Sequence, residues 1–106
     1  MGGPRQASKL IRQALRNVDS LMAEALEHVE EDPGGALDQV GLRDGTDIVA
    51  DLLDHGEPGL ALEHLVYMIS EPRLPISDET FRLIEGAGAL MKVDPSLWEP
   101  LRTIRP

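Results

Sequence analysis

Apolar residues recur every three or four positions along the first quarter of the chain. Leu10, Ile11, Ala14, Leu15, Val18, Leu21, Met22, Ala25, Leu26 and Val29 make one stripe, which is the period of an amphipathic helix. The pattern predicts a helix from about Ala7 to Glu31, ended by Asp32-Pro33-Gly34-Gly35. Residues 1–6 read as a flexible lead, and Asp19-Ser20 is a point where the helix can divide. Ala36 to Val40 allows at most a helical turn, and Gly41 to Gly45 reads as loop.

A second helix is expected from about Asp47 to His55, capped by Asp44 or Thr46. Ile48, Val49, Leu52 and Leu53 are its inward set. Asp44, Asp47, Asp51 and Asp54 fall three and four apart on the other side. Stacked like charges cost a few tenths of a kcal/mol per pair, so local stability does not call for them. Gly56 has the place of a helix-ending residue and Pro58 that of a first helical residue. The stretch between them is therefore a tight corner. The third helix, about Pro58 to Ser70, is apolar on most sides and is expected to be the central one. Glu63, Tyr67 and Ser70 share its narrow polar strip.

Ser77 caps a fourth helix that runs to about Lys92, with Phe81, Leu83, Ile84, Leu90 and Met91 for the core. Gly86 and Gly88 inside it imply close approach of a neighbour, expected to be the third helix. Asp94-Pro95 starts a last short helix at about Ser96 to Leu101, with Trp98 plugging the end. No segment alternates as a strand does. The fold expected is all-α: one domain over residues 1–106, a compact bundle of about five helices.

Composition narrows the chemistry. There is no cysteine, which excludes disulfides, thiolate metal sites and cysteine nucleophiles. Phe81, Tyr67 and Trp98 are the only aromatic residues of this kind, so the core must be aliphatic. The longest apolar run, Leu65 to Ile69, is far short of a membrane span. The start of the chain lacks a secretory apolar stretch, and Gln6 stands where myristoylation wants Ser or Thr. A cytoplasmic location is the default expectation.

Net charge is −9 and unevenly placed. Residues 1–18 hold four basic residues and no acid, whereas residues 19–71 hold fourteen acids against Arg43 alone. Such a middle section repels nucleic-acid phosphates and attracts a basic protein. No phosphate loop, dinucleotide fingerprint or nucleophile elbow occurs. Glu24 with His28, Asp51 with His55 and Glu63 with His64 offer carboxylate–imidazole pairs, but no His-to-His spacing suits a metal. The expectation is a protein that is not an enzyme, with no metal and no cofactor.

Gly56-Glu57-Pro58-Gly59-Leu60-Ala61-Leu62-Glu63-x-Leu65 resembles the GE-x-G-[LV]-A-L-E-x-L core of MafI-type immunity proteins. The likeness extends over about residues 44–98, with Pro58 departing from the aromatic residue usual there. The resemblance implies a small helical protein of a polymorphic toxin, contact-dependent inhibition system. Such a protein binds and neutralises a cognate toxin effector domain by occlusion. The acidic band makes a basic nuclease a suitable toxin. Partner-binding candidates are Asp47, Asp51, Asp54, Glu57, Glu63 and Tyr67, with Glu27, Glu30 and Glu31 as outliers. The alternative is a helical adaptor or regulatory module, either monomeric or dimeric through the first helix.

Overall fold

A computed structural model describes residues 3–26, 42–71 and 73–103. Four helices make up most of it: α1 (Gly3–Leu26), α2 (Leu42–Asp54), α3 (Pro58–Ser70) and α4 (Asp78–Leu90). Two 3-10 segments follow, Pro95–Leu97 and Glu99–Thr103. There is no strand among the described residues. The all-α expectation holds, with four α-helices among the described residues where about five were expected.

Five contacts fix the order of packing. Arg12 reaches Asp54 and Thr46 reaches Asp19, so α1 and α2 run antiparallel. Asn17 donates to Thr80 while Leu10 lies beside Gly86, so α1 and α4 also run antiparallel. Gly45 lies under Met68, which makes α2 and α3 an antiparallel hairpin. α1 touches all three other helices. α3 does so as well, and six of its thirteen residues are buried, so it holds a central position as expected. Ala7, Ile11, Ala14, Leu15, Val18 and Met22 supply the buried stripe of α1.

α1 is continuous through Asp19-Ser20, and residues 3–6, expected as a loose lead, form its first turn. α2 starts at Leu42, so Asp44 and Thr46 lie inside it and not at its N-cap position. The signal missed is steric. A Cβ at Gly45 would stand 2.7 Å from the Met68 methyl carbon, so this glycine admits α3 instead of marking a turn. Ile48, placed in the core by its spacing, is 42% exposed, and Leu60 and Leu90 are also exposed. Glu27, Glu30, Glu31 and His28, and the turn expected near residues 36–40, lie outside the described residues.

Helices α2, α3 and α4 end alike. Glu57 N–H bonds Leu52 O, Leu74 N–H bonds Ile69 O, and Val93 N–H bonds Gly88 O. These are Schellman closures around a residue with positive φ. That residue is Gly56 at +73°, Arg73 at +55° and Lys92 at +59°. Only the first is announced by its residue type.

The chain closes on α4. Trp98 is buried, with its ring where a Cβ on Gly88 would clash. Gly86 meets Leu10 of α1, so the two glycines admit Trp98 and α1 rather than α3. The last segment is a 3-10 turn and not the expected α-helix, and Pro100 within it has no N–H to donate. Arg102 secures this segment through Glu99 at 2.7 Å, Glu85 at 3.4 Å and the face of the Phe81 ring at 4.8 Å.

Candidate functional site

Val49 and Leu53 of α2 and Ala61, Leu62, Leu65, Val66, Met68 and Ile69 of α3 point to the core. Because the two helices lie side by side, their opposite sides form one outer face. Asp47, Asp51 and Asp54 stand exposed along α2. Glu57 at the corner, Glu63 and Tyr67 on α3 and Glu71 just past its end are exposed too. The described partner-binding candidates thus share a single hairpin. Glu27, Glu30 and Glu31 cannot be assigned to it.

The aspartates differ in their local company. Asp54 takes a 2.7 Å ion pair from Arg12, and both side chains remain substantially exposed. Asp51 accepts from the His55 ring, whose Nδ1 lies 3.4 Å from the carboxylate and donates to the Asp51 carbonyl at 2.7 Å. That carbonyl bond, then the Asp51 and Asp54 charges, raise the His55 pKa above its ordinary 6.5. Asp47 has no ion pair among the described residues. Its charge, and most of that of Asp51, is directed to solvent. Exposed pairs of this kind add little stability, which leaves the carboxylates available for exchange with a partner's cations.

Apolar side chains interrupt the acids. Leu60 is 51% exposed and Tyr67 41% exposed, one and the same side of α3 seven residues apart. The Tyr67 and His64 rings lie tilted against each other with centroids 5.9 Å apart, and burial lowers the His64 pKa below 6.5. Leu60 is one of the apolar residues that make α3 apolar on most sides. Its spacing from Glu63 and Tyr67 already placed it on the polar strip, and that was the signal available.

Glu57 precedes Pro58 at the α3 start, and its side chain makes no capping bond. Its carboxylate therefore serves the surface more than the helix end. Open grooves elsewhere are shallow. One of about 510 Å³ lies between Leu10 of α1 and Asp78, Glu79, Arg82 and Leu83 of α4. No group of three or more potential metal ligands gathers among the described residues. No described helix is long and apolar enough to cross a membrane. No protein-family model matches the chain, and no curated protein or solved structure is similar to it.

Proposed function

We propose that the chain is a binding protein that docks a basic partner protein on the outer face of the α2–α3 hairpin. In line with the resemblance at Gly56–Leu65, that partner is the effector domain of a cognate bacterial toxin, neutralised by occlusion. The observation that carries the reading is the row of exposed carboxylates, Asp47, Asp51, Asp54, Glu57 and Glu63, on one packed hairpin. Arg12 and His55 are the only side chains among the described residues that ion-pair with any of them. The helices that carry those charges are held by the buried core beneath them, so their backbone need not reorder on binding. Opposite charge on the partner accelerates encounter, and coverage of the partner's working surface needs no chemistry from this chain.

The test is co-expression with the C-terminal domain of a candidate toxin. Restored growth and a stable complex are expected. Growth arrest with no complex rejects the immunity reading. The second reading, an adaptor that self-associates through α1, draws on Arg5, Lys9 and Arg16, which stand exposed along that helix. It ranks second because no large apolar side chain accompanies them among the described residues, and exposed ion pairs alone hold little.

A further inference from the structure

Four large apolar side chains are exposed among the described residues: Ile48, Leu60, Tyr67 and Leu90. Three of them sit on the α2–α3 hairpin. Gly45 under Met68 sets the antiparallel register, which puts Ile48 level with His64 and Leu65. Met68 also marks the side of α2 that faces α3, and Ile48 falls on that side, three residues after Gly45. Ile48 therefore borders the shallow furrow between the helices, with Leu60, His64 and Tyr67 on the opposite bank. Asp47, Asp51, Glu63 and Glu71 rim this apolar strip. An apolar centre with a charged rim is the anatomy of a protein interface.

We propose that Leu60 and Tyr67, with Ile48 across the furrow, are the apolar anchor of that interface, and that the segment seated there is a basic amphipathic helix of the partner. The proposal rests on the reading of the acidic face given above and adds what holds the complex once formed. Leu60 and Tyr67 stand about 10 Å apart along α3, two turns of a helix. A helix laid along the furrow offers apolar side chains at the same interval and lysines or arginines to either side. The carboxylates then govern the rate of encounter. The apolar pair governs the rate of loss, because desolvated aromatic and aliphatic contacts at an interface centre carry most of its binding energy.

The test uses the full chain and a synthetic peptide of about 18 residues, long enough to hold a helix, with leucines at helical spacing and lysines elsewhere. Binding is measured by surface plasmon resonance for wild type, Leu60→Ser, Tyr67→Ser and the double variant Asp47→Ser/Asp51→Ser. Leu60→Ser and Tyr67→Ser change exposed side chains, and circular dichroism confirms that each is folded. The expected result is that each weakens binding about tenfold or more through faster dissociation. The aspartate variant slows association, and a glutamate version of the peptide does not bind.

If only the aspartate variant loses affinity, the anchor is wrong and the acidic docking face stands. If neither set matters, both readings fall. Failure of wild type to bind the lysine peptide overturns the helix assignment. Sedimentation of the protein alone covers the remaining occupant. A dimer that Leu60→Ser or Tyr67→Ser dissolves makes a second copy the occupant and overturns the partner proposed here.

Discussion

At the scale of single residues, two histidines a few positions apart are driven in opposite directions. His55 donates to the Asp51 carbonyl and lies beside the Asp51 and Asp54 carboxylates, so its pKa rises above 6.5. The fold favours its protonated form. That contribution to stability is complete below the ordinary value and fades as pH climbs through the raised one. His64 is lowered by burial, so the fold favours its neutral form. Its contribution is present above 6.5 and is lost as pH falls through the lowered value. Titration of the ring protons by NMR is expected to give a midpoint above 6.5 for His55 and below it for His64. Asp51→Asn should move only the first. The positive-φ positions make a second prediction. Lys92 holds a left-handed conformation that costs a side chain about 1 kcal/mol, so Lys92→Gly should raise stability by up to about that amount in chemical denaturation. Gly56→Ala should lower it by a similar amount, about 1 kcal/mol.

At the scale of elements, glycines in helices have unlike reasons for being there, and substitution separates them. Gly88→Ala drives a methyl into the Trp98 ring. It should cost about 1–3 kcal/mol and be partly rescued by Trp98→Leu. Gly59 has open space around its Cβ position. Gly59→Ala should be neutral or stabilise by up to about 1 kcal/mol. Thermal unfolding of the three variants checks both. The same pair shows how far the sequence could be read. Helix ends written in local chemistry were legible: Gly56 and Pro58 around the corner, Ser77 with its bond from Thr80 N–H, and Asp94 with its bond from Ser96 N–H. Ends and contacts set by tertiary packing were not. Gly45 reads as loop until Met68 is seen over it, and Gly86 and Gly88 do not reveal which neighbour they admit. Pattern also overfilled the core. α3 carries more apolar residues than its buried side holds, so Leu60 is left outside.

At the scale of the whole molecule, charge and shape work together. A basic first helix and an acidic hairpin meet at Arg12–Asp54, so the opposite charges adjoin without cancelling. The candidate acids on α2 were legible from their helical spacing. That they share a face with Glu57, Glu63 and Tyr67 follows only from the antiparallel hairpin, and the ion pair that occupies Asp54 had no trace in sequence. Asp54→Ser should therefore weaken partner association less than Asp47→Ser, and should loosen the α1–α2 seam by less than about 1 kcal/mol. Parallel binding and denaturation measurements on the two variants check this.

The central claim is best tested by stopped-flow association with the C-terminal domain of a candidate toxin, from low to physiological salt. The account predicts a wild-type rate that falls steeply as salt is added. The Asp47→Ser/Asp51→Ser variant should be slower at low salt, by about tenfold, and converge with wild type as screening grows. Equal rates with equal salt slopes for the two proteins would contradict it.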